Sequence, residues 1–154
     1  MNKYMKEALK EDLKGIHNKE GGPFGCVIVC KGKVIAKGHN LVTSSKDPTS
    51  HAEIVAIRKA SKRLGRFDLK DCELYTTCEP CPMCFSAIHW SRIKKVYYAC
   101  TRKDAQKIGF DDSVLYDILS GKKKENQFTK KQIDRQKCLM AFKEWKTKKD
   151  KKMY

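Results

Sequence analysis

Two short stretches decide which fold the sequence predicts, Pro48-Thr49-Ser50-His51-Ala52-Glu53 and Pro80-Cys81-Pro82-Met83-Cys84. Each is expected to open a helix directly after a loop or a strand, with Pro near its first turn. In sheets flanked by helices, binding sites gather at helix N-termini beyond the carboxyl ends of the strands. The two stretches therefore predict one shared site at one edge of a sheet.

Apolar periodicity predicts further elements on both sides of these stretches. Met5, Leu9, Leu13 and Ile16 have helical spacing, and the chain then alternates strands with helices. Helices are expected at 4–16, 48–64, 80–91, 103–107, 113–119 and 133–145, strands at 25–30, 34–38, 73–76 and 96–99, and a polar loop at 39–47. Strand–helix–strand units imply right-handed crossovers, so we predict an α/β fold of three layers, with a mixed sheet between helices.

Length, charge and cysteine content limit the possible classes of protein. The 154 residues fit one domain, 1–154, with a single core. A net charge of +16 favours polyanion partners, but 28 Lys against 6 Arg also fits a solvated surface, so nucleic acid is not required as a partner. No apolar run approaches the roughly 20 residues that cross a membrane. Without an apolar signal segment, the eight cysteines are expected as thiols or metal ligands in the cytoplasm, with no membrane partner.

His51, Cys81 and Cys84 are the predicted ligands of one zinc ion. Cys81 and Cys84 are three residues apart, which puts both on one side of a helical turn. One imidazole and two thiolates leave the fourth tetrahedral position open, as in catalytic zinc sites. Glu53 belongs to the same first turn as His51 and could move a proton between water and substrate as general base and acid.

Other interpretations of the same residues stay open at this point. Ser50 and Glu53 also match a capping box, which would make Glu53 only a helix cap. Cys78 forms a second, overlapping C-x-x-C with Cys81, so a redox pair or a closed structural zinc site with Cys78 as fourth ligand is possible. The joint pattern, H-x-E followed downstream by P-C-x-x-C, is more specific and is typical of zinc deaminases.

A closer resemblance extends over most of the chain. It rests on 21–25, 47–53, 56–60, 78–84, Ala87-Ile88, Trp90, Gly109-Phe110-Asp111-Asp112-Ser113 and Tyr154. These segments resemble bacterial guanine deaminases of the cytidine-deaminase-like fold. The zinc motifs are shared with tRNA adenosine deaminases, whereas the Gly-Phe-Asp-Asp-Ser segment and the last Tyr point to the guanine enzymes.

The resemblance implies roles that spacing alone could not assign. Asn40 would hydrogen-bond the purine edge, Phe24 and Trp90 would flank the base, Asp112 would lie near the departing amino group, and Tyr154 would close the pocket. By composition alone, Asn40 could be a turn residue, Asp112 a helix cap and Trp90 core packing. The resemblance also implies a homodimer in which the C-terminal segment, about 125–154, is exchanged, although the Lys-rich 121–131 connection departs from the family pattern.

The expected reaction is hydrolysis of guanine to xanthine and ammonia with one zinc ion per chain. Zinc-activated water would attack C2, with Glu53 protonating the adjacent ring nitrogen and Asp112 helping the amino group to leave. Alternative interpretations are a tRNA adenosine deaminase acting at the wobble position, a cytosine or guanosine deaminase, and a basic nucleic-acid-binding module with a structural zinc.

Overall fold

The computed structural model describes residues 1–153 as seven helices and four strands. The helices are α1 (Lys3–His17), α2 (Val42–Ser45), α3 (Ala52–Leu64), α4 (Pro82–Trp90), α5 (Arg102–Lys107), α6 (Ser113–Leu119) and α7 (Arg135–Thr147), and the strands are β1 (Gly25–Cys30), β2 (Lys33–His39), β3 (Cys72–Cys78) and β4 (Lys95–Cys100). Within residues 1–153, no helix combines the length and the apolar character needed to cross a membrane. Tyr154, which was predicted to close the pocket, lies outside the described residues.

The four strands form one mixed sheet in the order β2-β1-β3-β4. β1 pairs antiparallel with both β2 and β3, and β3 pairs parallel with β4 through the crossover helix α4. The parallel pair directs the C-terminal ends of β3 and β4 to the same edge of the sheet. The prediction of a three-layer α/β fold with a mixed sheet is confirmed.

Two apolar clusters hold helices against the two faces of the sheet. On one face Val27, Val29 and Tyr75 pack with α1 through Ala8 and Met5. The other face carries the larger cluster, whose buried members are Cys26, Ile28, Cys30, Ala36, Ala52, Ala56, Ala60, Leu69, Cys72, Leu74, Ile88 and Ile93. That second cluster fixes α3 and α4, the helices that begin just after His51 and Cys81.

α1 packs on the sheet through Met5 and Ala8 rather than through its leucines. Ala8 and Asp12 are buried, whereas Leu9 and Leu13 are 36% and 44% exposed. A Cβ on Gly25 of β1 would lie 2.2 Å from the Ala8 carbonyl oxygen, so helix and strand approach too closely for a side chain there. The apolar spacing therefore predicted the helix correctly but not the face that it buries.

β2 meets α3 in an equally close contact. A Cβ on Gly38 would lie 2.5 Å from the Ala52 carbonyl oxygen and 2.8 Å from the Ala56 nitrogen. Backbone atoms cannot move aside as a flexible side chain can, so any larger residue would push α3 outward. This contact fixes the position of the first turn of α3, which carries Glu53.

Three predicted boundaries near the site were wrong. α3 begins at Ala52 rather than at residue 48, because the Asp47 carboxylate accepts hydrogen bonds from Thr49 and Ser50 and holds 47–50 as a turn. α4 begins at Pro82 instead of residue 80, with Cys81 extended at its N-cap. The predicted loop 39–47 contains the short helix α2.

Candidate active site

His51, Cys81 and Cys84 converge where α3 and α4 begin. His51 and Cys81 occupy the N-cap positions of the two helices in extended conformation, which points both side chains away from their own helix axes. The His51 Nδ1 atom lies 3.5 Å from the Cys81 Sγ atom and 3.6 Å from the Cys84 Sγ atom. The three donor atoms lie within 4.8 Å of one another, so they can share one ion.

The spacing of these donors fits zinc. Bond lengths of about 2.3 Å to sulfur and about 2.0 Å to nitrogen in a tetrahedron separate S and N ligands by about 3.5 Å. The two observed S–N distances agree with that value. Hydrogen bonding from Cys84, with the neighbouring His51 ring, lowers the pKa of Cys81 to about 4, so this ligand is a thiolate at neutral pH.

Cys78 is not a member of the donor cluster formed by the described residues. Its thiol instead donates to the Thr101 carbonyl oxygen at 3.7 Å, at the end of β4. The set therefore has three protein ligands, and the closed structural site with Cys78 as fourth ligand is not formed. An open fourth position is the arrangement of catalytic zinc.

The Glu53 carboxylate is positioned by the sheet and does not cap its helix. Glu53 is 5% exposed, and its Oε1 atom accepts a hydrogen bond from the Thr76 hydroxyl at 3.0 Å. His51 rather than Ser50 is the N-cap of α3, and it makes no side-chain capping bond, so the capping-box interpretation was wrong. Burial raises the pKa of the Glu53 carboxyl.

A cavity of about 370 Å³ opens on His51, Cys81 and Glu53, whereas Cys84 is fully buried. Pockets of this size accommodate small-molecule ligands. Ala105 of α5 lines it, with Phe110 and Asp111 from the segment that joins α5 to α6. Six of the predicted site residues also belong to the lining. The predicted residues in the lining are Phe24, Asn40, His51, Glu53, Cys81 and Asp112.

Asn40 serves the local fold and the cavity at once. It is 4% exposed, and its Oδ1 atom accepts from the Val42 nitrogen at 3.1 Å and from the Gly22 nitrogen at 3.4 Å. These bonds fix the amide with its oxygen toward the backbone. The Nδ2 donor makes no hydrogen bond to any other described residue, so it is available to a ligand in the cavity.

Asp112 and Phe24 line the same cavity as His51 and Cys81. Asp112 stands at the N-cap position of α6, yet its carboxylate makes no capping bond. Burial, with the Cys81 sulfur nearby, raises the pKa of the Asp112 carboxyl. The Phe24 ring meets the Phe110 ring edge to face, with 5.0 Å between centroids, and makes an apolar surface against which a flat base can pack.

Trp90 is not brought to the cavity by this chain. It is the last residue of α4, six residues beyond Cys84, which corresponds to about 9 Å along the helix axis. Its ring is 67% exposed and lies in a separate depression with Ile54 and Ile57. Within one chain Trp90 therefore cannot flank the base, and its role stays a prediction, as does that of Tyr154.

Two residues of the site, Phe110 and Thr76, were assigned no function from the sequence. Phe110 belongs to the Gly-Phe-Asp-Asp-Ser segment that carried the resemblance, and that segment was the available signal for it. Thr76 had none, because only the pairing of β3 with β1 and the packing of α3 bring its hydroxyl to Glu53.

The fold and this site define a class: a hydrolase that activates water at a His/Cys/Cys zinc site, with a buried Glu beside it. Comparison with known proteins agrees. The "Cytidine and deoxycytidylate deaminase zinc-binding region" matches residues 1–100. The chain belongs to this family of zinc-binding deaminases.

Two kinds of relative differ in how much of the chain they match. A guanine deaminase of Bacillus subtilis (strain 168) is 46% identical over 98% of this chain and 97% of its own length. A tRNA-specific adenosine deaminase of Aquifex aeolicus (strain VF5) is 45% identical, but over 65% of this chain and 66% of its own length.

Two solved structures of guanine deaminases are similar to this chain. The X-ray structure of the Bacillus subtilis guanine deaminase superimposes with a TM-score of 0.93, covering 100% of this chain and 99% of that chain at 46% identity. A guanine deaminase from Nitrosomonas europaea gives a TM-score of 0.66 at 34% identity, covering 70% and 63% of the two chains. The prediction of a zinc-dependent deaminase related to guanine deaminases is confirmed.

Replacing Asn40 with Asp should weaken guanine binding while the fold is kept. Asp still accepts from Val42 and Gly22 but offers no donor to the ligand. An unsatisfied buried partner costs about 1–3 kcal/mol, or about 5-fold to 150-fold in kcat/KM. Steady-state kinetics on guanine measures this, with Asn126→Asp on the exposed 121–131 connection as the control. Unchanged kcat/KM in Asn40→Asp would exclude the donor role.

Proposed function

We propose that this protein hydrolyses guanine to xanthine and ammonia. The observation that carries the proposal is the cavity in which Asn40, Phe24 and Asp112 face the His51–Cys81–Cys84 cluster and Glu53. The match to a guanine deaminase over nearly the whole chain supports the same substrate, because it includes α5 and the segment 108–112, which line the cavity.

His51, Cys81 and Cys84 would hold zinc, which supplies the chemistry of activating a water molecule near neutral pH. The residues of this chain then move the protons. Glu53 accepts a proton from the attacking water and delivers it to the ring nitrogen beside C2. The C–O bond forms at C2. The remaining proton of the added water then passes from the new hydroxyl group to the amino group, the C–N bond breaks, and ammonia leaves as the C2 carbonyl forms.

Other residues that line the cavity position the base. The Asn40 Nδ2 group donates to an acceptor on the purine edge, because its oxygen is held by Val42 and Gly22. The Phe24 and Phe110 rings pack against the base and exclude water. Asp112 faces the reacting edge and, with its raised pKa, is suited to hold the departing amino group by hydrogen bonding.

The test is a parallel assay of ammonia release from guanine, guanosine, adenine, cytosine and an anticodon stem-loop by zinc-loaded protein. We expect release from guanine with stoichiometric xanthine, and little from guanosine. Inosine formed in the stem-loop, with no reaction on any free base, would instead assign the protein to the tRNA enzymes. In that case activity should fall steeply with salt, as phosphate contacts require.

A second copy of this chain is the partner we propose, with the C-terminal segment, about 125–154, exchanged between the two. α7 has no buried residue in the single chain, and Phe142 and Met140 are 74% and 70% exposed. An apolar groove of about 1250 Å³, lined by Phe85, Ile88 and other residues of α4 and β4, lies open on the same chain. An exchanged α7 segment would cover such surfaces and would carry Tyr154 to the partner's cavity.

Subunit complementation tests the exchange. Glu53→Gln and Tyr154→Ala homodimers should each be poorly active, but the mixed dimer places an intact Tyr154 in the cavity that retains Glu53. Activity should therefore return on unfolding and refolding the two together. A mixture no more active than its separate parts, or a monomer in light scattering, would reject the exchanged dimer.

The cytoplasm is the location we propose. Cys81 and Cys84 must stay reduced to bind zinc, and a reducing compartment keeps them so. Cell fractionation with an antibody to the protein tests this, and accumulation outside the cytoplasm would contradict it.

A further inference from the structure

A second cluster of metal-ligating side chains lies at the opposite end of the sheet. Cys30 is the last residue of β1 and Cys72 is the first of β3, and the two are directly paired in the antiparallel ladder. Asp71 immediately precedes Cys72. The catalytic cluster, in contrast, lies beyond Cys78, where β3 ends.

We propose that Cys30, Asp71 and Cys72 bind a second thiophilic metal ion, Zn²⁺ by preference. Their donor atoms lie within 4.8 Å of one another. The Cys30 Sγ atom is 3.6 Å from the Asp71 Oδ2 atom, and the Cys72 Sγ atom is 3.8 Å from the Asp71 Oδ1 atom. A tetrahedral zinc ion holds sulfur and carboxylate ligands about 3.6 Å apart, so each thiol already lies near ligand spacing from one oxygen of the Asp71 carboxylate.

Charge and burial around the cluster suit an ion of this kind. Both cysteines are buried, at 9% and 2% exposure, while Asp71 is exposed and gives the ion a path from solvent. Two thiolates, one carboxylate and a divalent ion leave one negative charge. The Arg66 guanidinium, paired with Asp71, supplies the balancing positive charge.

The surroundings of Cys72 argue against a redox role for its thiol. Burial, with a hydrogen bond to Cys30, raises the pKa of Cys72 to about 12. A thiol reacts with oxidants as its thiolate, so the Cys72 thiol is slow to oxidise at neutral pH. A bound cation would displace the protons, because it replaces their charge within the cluster.

Metal content tests the proposal on the full-length protein. Reduced protein is saturated with Zn²⁺, desalted and analysed by mass spectrometry, and parallel samples with Co²⁺ report thiolate ligation through their absorbance. We expect about two zinc ions per chain in the unaltered protein and about one in Cys30→Ser and in Asp71→Asn. Cys100→Ser, at an exposed cysteine outside both clusters, should keep about two.

Folding and catalysis are followed separately from metal content. Asp71→Asn changes an exposed side chain, so it keeps the test valid if Cys30→Ser destabilises the core; circular dichroism checks both. Guanine turnover should be unchanged in Asp71→Asn. The zinc count does not depend on the proposed substrate, so it tests the second site even if the unaltered protein does not turn over guanine. The second site would be overturned by about one zinc ion in the unaltered protein, by an unchanged zinc count in both variants, or by a Cys30–Cys72 disulfide that persists after treatment with reductant.

Discussion

Replacing Glu53 with Gln should lower kcat on guanine by about 10²–10⁴-fold, the contribution of a positioned general acid–base group. Gln has the same shape and still accepts the Thr76 hydroxyl through Oε1, so the buried hydrogen bond survives. It cannot take a proton from water or deliver one to the ring. The loss should therefore fall on kcat, while guanine binding and zinc content change little.

Glu73→Gln is the matched control for this variant. Glu73 belongs to β3, as Thr76 does, but it pairs with Lys95 and Tyr75 outside the cavity. The same loss of one negative charge there should leave kcat close to its original value. Stopped assays of xanthine formation measure both variants, and a near-normal rate in Glu53→Gln would refute the proposed proton transfer.

Removing zinc, by a chelator or by Cys81→Ser, should abolish guanine turnover and leave the protein folded. The apolar clusters on the two faces of the sheet do not include His51 or Cys81, so the core persists without the ion. Stability should fall only by the free energy of zinc binding to the native state. Zinc analysis, circular dichroism and ammonia release distinguish loss of metal from loss of fold.

Two further cysteine variants test which thiols bind the zinc ion. Cys78→Ser should keep the zinc that Cys81→Ser loses, because the Cys78 thiol bonds to the Thr101 carbonyl and not to the cluster. Cys100→Ser should keep both zinc and turnover. Loss of zinc in Cys78→Ser would indicate a closed site of four protein ligands. Full activity in metal-free protein would exclude the zinc mechanism.

The zinc ligands could be predicted from the sequence because their geometry is local. Cys81 and Cys84 are three residues apart at the start of one helix, so spacing alone puts these two side chains on the same side. His51 and Glu53 were assigned to the same site by the joint H-x-E and P-C-x-x-C pattern. The alternation of strands and helices likewise predicted the layered sheet. The helix starts predicted at 48 and 80 were wrong, because the hydrogen bonds of the Asp47 turn and the extended conformation of Cys81 are not encoded in the apolar pattern.

The sequence by itself determined the class of chemistry, since a His-x-Glu and a Pro-Cys-x-x-Cys motif bring their own ligands at fixed spacing. Only the tertiary structure decided what surrounds them. Strand pairing placed Thr76 against Glu53 and Cys30 beside Cys72, and loop packing turned the Asn40 amide so that its donor faces the cavity. These contacts join residues far apart in the chain, and their partners follow from packing and register, which no local pattern encodes.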